Sequence, residues 1–347
     1  MTRRRLIVWT CLLPLVFLGF TTNSAAQALF ESRDILEVTI EAPLNTLTRV
    51  RSDDDYLDGT LSYSSEMDEG RSLDLKLRAR GRFRRLKETC DFPPIRLNFK
   101  KGQLEGSIFD GQDKLKLVTH CQTNRDENEQ FVLREYMAYR ILQILTDKSF
   151  GARLLRVTYV NNEEDGDSMT KYGFVIEDDK SLGKRIDMKA LDVESLSYAE
   201  IDRAHTNLVN LFQFLIGNTD YSLIKGPEGD ECCHNSVPFS DGTMTIPIPY
   251  DFDFAGLVDT PYAKPNPLLK LRSVRVRRYR GRCSNSEYLD DSIAHFQSKK
   301  DEIYALLDEI DGFDRRSRES ITSYLNTFYE AISDKKKIQR YFVRGCS

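Results

Sequence analysis

The sequence lacks most of the signatures that declare an enzyme class at first sight. It has no surplus of positive charge, since 50 Lys and Arg stand against 54 Asp and Glu for a formal net charge of -4. A general nucleic-acid binder or a polybasic membrane-surface protein is therefore not expected. It has no G-x-S-x-G elbow, and His120, His205 and His234 stand apart, without an i,i+4 partner or a carboxylate at zincin spacing. Serine hydrolases and zincins are set aside, and these histidines read as core or surface residues. A glycine-rich phosphate loop is missing too, for Gly102 and Gly106 are too sparse to form one. No internal repeat or low-complexity stretch interrupts the 347 residues, 40% of them hydrophobic, which suffice for a real core in one large two-lobed unit or two ordinary domains.

The chain opens with Arg3, Arg4 and Arg5, runs through 15 residues of apolar character from Leu6 to Phe20, and reaches Ala26-Gln27-Ala28. This pattern predicts a cleaved signal peptide over residues 1–28 and a periplasmic or secreted product that is not embedded in the membrane. An uncleaved anchor is the competing reading, but a bilayer span needs about 20 apolar residues, and Pro14 and Gly19 lie inside this run. Cys11 lies within the apolar run and not behind a lipobox, so lipidation is not expected. Six of the seven cysteines remain after cleavage: Cys90, Cys121, Cys232, Cys233, Cys283 and Cys346. An even number in an exported chain predicts disulfides, with the pairing left open. Adjacent Cys232 and Cys233 are expected to take separate partners. A zinc site at Cys232, Cys233 and His234 is the alternative, although the two thiols lack the gap that lets both reach one tetrahedral ion.

Period-two alternation marks strands at residues 73–79 and 95–99, where Leu73, Leu75, Leu77 and then Ile95, Leu97, Phe99 alternate with polar residues. Weaker strands are read at 36–40 and 115–119, and a hairpin at 153–160 and 172–176 around an acidic loop, together predicting an antiparallel sheet. Between them Leu133, Tyr136, Met137, Ile141 and Ile144 recur at helical spacing, predicting a helix over 129–145. Further helices are expected at 198–216, 292–310 and 317–332. The expected class is α+β, with a β-rich lobe over 29–180, a mostly helical lobe over 181–347, and a cleft between them.

The densest set of acids and amides in apolar surroundings follows the helix at 198–216: Gly217-Asn218-Thr219-Asp220, then His234-Asn235, then Tyr250-Asp251-Phe252-Asp253-Phe254. In an extended segment Asp251 and Asp253 share one face and the two phenylalanines the other. Carboxylates so placed repel unless a cation lies between them, and magnesium suits carboxylate and amide oxygens while keeping sites for substrate phosphate. Asp220 is then a candidate base. The competing structural reading makes Asp253 a turn or helix cap, leaves Asp251 solvated, and lets Asn218 and Asp220 end the helix through Gly217.

The order of these segments resembles the spore-coat-protein-H (CotH) kinase family. The residues that carry the resemblance are Arg80-Gly81 before a proline-containing strand, the helix Leu133-Arg134-Glu135-Tyr136-Met137-Ala138-Tyr139-Arg140, the strand Tyr172-Gly173-Phe174-Val175-Ile176-Glu177, then Asn218-Thr219-Asp220 and Tyr250-Asp251-Phe252-Asp253. It covers roughly residues 73–256, about half the chain. More distantly, Gly217-Asn218-Thr219-Asp220 and Tyr250-Asp251 are similar to HipA-type kinases. The resemblance implies a two-lobed atypical protein-kinase-like fold and transfer of phosphate from ATP, with Mg2+ or Mn2+, to a protein or anionic envelope acceptor. It puts Asp220, beside Asn218, in the catalytic position and Asp251, Asp253 and Asn235 at the metal. Asp220 and Asn235 are 15 residues apart, so a loop carrying Cys232 and Cys233 is inserted between them. Arg96 or Lys116 takes the part of the phosphate-holding lysine, Glu135 of its helix partner, and Glu177 lies where the backbone would meet adenine.

Two arginine clusters, Arg78 to Arg85 and Arg272 to Arg282, could each grip phosphate or an acidic partner, or simply cover apolar surface with their stems. The second is the better placed to hold an anionic acceptor. Two other functions compete with the kinase reading: an inactive, disulfide-stapled pseudokinase serving as a binding or structural envelope component, and a metal-dependent phosphoester hydrolase using Asp220, Asp251 and Asp253.

Overall fold

The computed structural model describes residues 28–65, 70–163, 167–228 and 231–347. Apart from Ala28, the expected signal peptide lies outside the described residues. The alternating segments are strands, as their period demands: β1 (Leu36–Ala42), β2 (Leu57–Tyr63), β3 (Arg71–Ala79), β4 (Ile95–Phe99), β5 (Lys114–Val118), β6 (Ala152–Asn161) and β7 (Ser168–Ile176). In β3 and β4 every second residue is buried.

These strands do not form the sheet-rich lobe of a two-lobed kinase-like fold. They close into a barrel in the order β1-β2-β3-β4-β5-β7-β6. Closure is made by β1, which pairs antiparallel with β2, Ile40 opposite Leu61, and parallel with β6, Val38 opposite Val157. Amphipathic strands whose apolar faces have only one another to meet lose both exposed edges by closing. Leu61, Leu75, Leu97, Leu117, Val157 and Val175 fill the interior, and Leu44 and Leu47 of the short helix α2 (Leu44–Val50) join this core. Helix α1 (Ala28–Glu31) adds Leu29 to it.

A second core lies outside the barrel. Helix α3 (Glu127–Leu145) packs on the outer side of β6 and β7. Its Leu133, Met137 and Ile141 share one apolar cluster with Phe174 and Ile176 of β7 and with the helices that follow. Those are α4 (Asp179–Arg185), α5 (Arg203–Ile216), α6 (Leu289–Ser298), α7 (Lys300–Glu309) and α8 (Arg315–Ser333). The single helix read over 292–310 is two, broken at Lys299. A small sheet absent from the sequence reading, β8 (Lys189–Ala190), β9 (Ser236–Ser240) and β10 (Thr245–Pro249), sits among these helices.

Cys90 bonds to Cys121 and Cys283 to Cys346, which leaves Cys232 and Cys233 to bond to each other, against the expectation of separate partners. No thiolate remains there for zinc. Among the described residues no helix is long and apolar enough to cross a membrane. The disulfides are compatible with an extracellular or periplasmic location.

Candidate functional site

Helix α5 begins at Asp202, whose carboxylate accepts from the His205 backbone N–H, and ends at Gly217 in the left-handed region, φ 68°. The chain reverses there, the Asn218 N–H donating back to the Gln213 carbonyl at 2.9 Å. Asn218 Oδ1 accepts from the Asp220 N–H at 2.8 Å. The loop after Asp220 returns by an antiparallel bridge between Ser222 and His234. That bridge brings a residue 15 positions away back to the acid: Asn235 Nδ2 donates to the Asp220 carbonyl at 2.7 Å and to Oδ2 at 3.1 Å. His234 Nε2 lies 3.0 Å from Asp220 Oδ1. From below, Arg280 Nη1 donates to the carbonyls of Thr219 at 2.9 Å and Tyr221 at 2.5 Å, with its guanidinium 4.6 Å from the Tyr221 ring. Asp220 is thus held from both sides.

Strand β10 leads into the second acid segment. Its chain is not extended there, because Asp251 adopts φ +62°, the left-handed region that glycine favours and that Asp and Asn enter more readily than other residues. The Asp251 N–H donates to the Tyr139 hydroxyl of α3 at 2.9 Å, and Phe252 is driven into the core against Tyr139 and Phe212. The turn buries Asp253, whose Oδ2 accepts from the Tyr262 hydroxyl at 3.0 Å. The two acid segments are joined directly: the Gly256 N–H donates to the Gly217 carbonyl at 3.2 Å and the Leu257 N–H to that of Ile216 at 2.9 Å. Asp253 is accordingly pushed up to about 7, first by burial and next by the Asp251 charge, with Asp220 adding and Arg84 and the Tyr262 hydrogen bond opposing.

The barrel contributes cations. Lys116 on β5 is nearly buried, its Nζ 4.6 Å from the Tyr250 ring centre and 3.8 Å from Asp179 Oδ1. Burial pushes Lys116 down, Asp179 and Asp251 draw it up, and Arg80 and Arg96 add repulsion. Arg78, Arg96 and Lys116 are cross-strand partners on β3, β4 and β5. Glu135 is deeply buried on α3, and its partner is neither Lys116 nor Arg96: Arg84 Nη1 lies 3.6 Å from Glu135 Oε2. Burial, and then Asp253, hold Glu135 well above the carboxylate range.

The structure therefore brings together Asn218, Asp220, Asn235, Asp251, Asp253 and Glu135, with Lys116 on the facing strand; Arg96 lies beside Lys116 on the next strand, among Arg78, Arg80 and Asp179 and not among the acids. Glu177 stands apart from the acids. Its carboxylate is taken by Arg185 at 2.7 Å and the Gly151 N–H at 2.8 Å, and its own N–H donates to Gly151 O. Much of the second arginine cluster turns inward: Arg275 pairs with Asp259, Arg277 donates to the Leu215 and Tyr324 carbonyls, and Arg280 serves Asp220. Arg272 and Arg278 remain exposed. Sequence reading missed Arg84, Tyr139, Tyr262 and Arg280 as parts of the site. The Arg84-rich stretch gave a signal of charge without partner, and buried tyrosines on a helix gave none.

No three His, Cys, Asp or Glu side chains among the described residues converge as a ready-made metal cage. The carboxylate oxygens of Asp251 and Asp253, with Asn235 close to Asp220, are donors of the hard kind that magnesium or manganese takes. No known protein family and no curated protein matches the chain.

Proposed function

We propose that this chain is an exported phosphotransferase that moves the terminal phosphoryl group of a metal-bound nucleotide, ATP or a close analogue, to a protein or envelope acceptor. One observation carries the reading: a set of carboxylates, the buried Asp253 with the half-buried Asp220 and Asp251, lies near the nearly buried Lys116 of the barrel, behind which Arg96 and Arg80 add further positive charge. A phosphate chain carrying a divalent ion has this same polarity, positive at the metal and negative at the oxygens. Phosphoryl transfer asks chiefly for positioning and charge stabilisation, which such an arrangement provides. The reading does not rest on a kinase-like fold.

The bound ion would be held by Asp251 and Asp253 and would draw charge from the transferring group. Lys116 and Arg96 hold phosphate oxygens and offset their charge. Asp220, fixed by His234 and Asn235, accepts the proton of the acceptor hydroxyl as it attacks. The Tyr139 hydroxyl holds Asp251 in its left-handed turn, and Tyr262 keeps Asp253 oriented.

The test is incubation of the oxidised chain with γ-labelled ATP and Mg2+ or Mn2+, with casein and envelope extract as acceptors. Metal-dependent label transfer or γ-phosphate release that is lost in Asp220→Asn and Asp251→Ala supports the reading. Release of phosphate from simple phosphoesters without nucleotide would replace it with hydrolysis.

A further inference from the structure

The cations on the barrel form a wider cradle than one phosphate needs. Arg78 faces Arg96 and Arg96 faces Lys116 in register on three adjacent strands, so their stems leave the sheet about 4.8 Å apart in sequence of strands. Arg80 reaches the same group, for its charge repels both Arg96 and Lys116. Among the described residues the side chains of Arg80 and Arg96 make no hydrogen bond or ion pair, and Arg78 Nε is buried without a partner. Among the described residues the ion pair that this group makes is that of Lys116 with Asp179, at 3.8 Å. Like charges kept this close and half out of water call for an anion with several negative oxygens.

The segment that the family resemblance put at adenine is otherwise engaged. The Glu177 N–H donates to Gly151 O at 2.8 Å, its carboxylate is tied to Arg185 and Gly151, and α4 begins at once behind Asp178. The Tyr250 ring, the aromatic surface beside the acids, is covered by the Lys116 ammonium.

We infer that the site takes its donor by the phosphate chain and is indifferent to the base, so that inorganic tripolyphosphate occupies the cradle of Arg78, Arg80, Arg96 and Lys116 as ATP or GTP does. This deepens the phosphotransfer reading and rests on it for the identity of the site.

The experiment is calorimetric titration of the full oxidised chain with tripolyphosphate, ATP, GTP and adenosine, each with Mn2+. Dissociation constants for the three phosphates within about threefold of one another, with no adenosine binding, are expected, and Arg96→Ala should weaken all three alike by about tenfold or more. Arg96→Lys, which keeps the charge and loses the fork, should retain fold and give an intermediate loss, and serves where Arg96→Ala does not fold. ATP binding about tenfold tighter than tripolyphosphate or GTP, adenosine binding alone, or no binding by any of the phosphates overturns the inference. Equal binding without phosphoryl transfer would leave it standing and remove the phosphotransfer reading. ATP-selective binding with transfer would do the reverse.

Discussion

Replacing Arg84 by methionine isolates the buried ion pair on which the acid cluster leans. The side chains of Arg84 and Glu135 are 10% and 3% exposed, and their charged atoms lie 3.6 Å apart. Where Glu135 is ionised, at the alkaline end, that separation at an effective dielectric constant of about 20 corresponds to about 5 kcal/mol of attraction, and breaking one half of a buried pair typically costs about 3–5 kcal/mol. The substitution also removes the donor to the Thr119 carbonyl. Glu135 is already held above its ordinary range by burial and Asp253, and Arg84 is what lowers it. Without Arg84 the folded state binds that proton more tightly still, while the unfolded chain releases it near pH 4. Stability of the variant should therefore fall as pH rises. Urea unfolding should show a loss of about 3–5 kcal/mol at pH 8 and a clearly smaller one at pH 5. Adding Glu135→Gln should recover most of it. A loss below about 1 kcal/mol at pH 8, or one that does not change with pH, would refute the assignment of Arg84 as the counter-charge of the cluster.

Three further outcomes are expected. His205, buried with Nε2 against the Pro247 carbonyl, is pushed down to about 4 and His120 to about 3, both chiefly by burial. Because the fold holds them neutral, stability should be complete above about pH 6.5 and fall towards pH 4, His205 alone accounting for about 3 kcal/mol; thermal melts of His205→Gln that keep the wild-type pH slope would contradict this. A Cβ at Gly256 would lie 2.5 Å from the Val274 carbonyl and 2.9 Å from the Arg275 Cα, both main-chain atoms. Gly256→Ala should cost about 1–3 kcal/mol in urea and weaken metal-triphosphate binding, and an unchanged melt would show that the two acid segments are not locked there. Arg280→Ala removes both carbonyl contacts flanking Asp220. Turnover should drop about tenfold with KM changed less than about threefold, partly rescued by Arg280→Lys, and a loss carried by KM alone would argue against a positioning role.

How far the sequence discloses this molecule depends on whether the partners of a residue are local. β3 and β4 are legible because one face of each fills the barrel and the other does not. β2 is not, since Gly59 and an irregular burial pattern blur its period, and Gly59 has Leu77 and the Glu41 carbonyl pressed against the space a side chain would need. Barrel closure is invisible because it rests on pairing β1 with β6, more than a hundred residues away and in parallel. That single non-local ladder is why an open sheet in a two-lobed fold was the natural expectation. In the site, Asp220, Asp251 and Asp253 stand out as acids in apolar surroundings. Their supports do not, because Arg280 acts on main-chain carbonyls and Tyr139 on a main-chain N–H, and neither contact leaves a pattern in the sequence. The turn at Asp251 likewise replaces the extended segment that alternation predicts, for the positive φ is imposed by Tyr139 and the packing of Phe252.

The most direct measurement is anomalous diffraction at the manganese edge from crystals of the oxidised chain grown with Mn2+ and a non-hydrolysable triphosphate. The account predicts a manganese peak beside the carboxylates of Asp251 and Asp253, with phosphate oxygens reaching Lys116 and Arg96. A peak elsewhere, or phosphate density away from the barrel face, would contradict it.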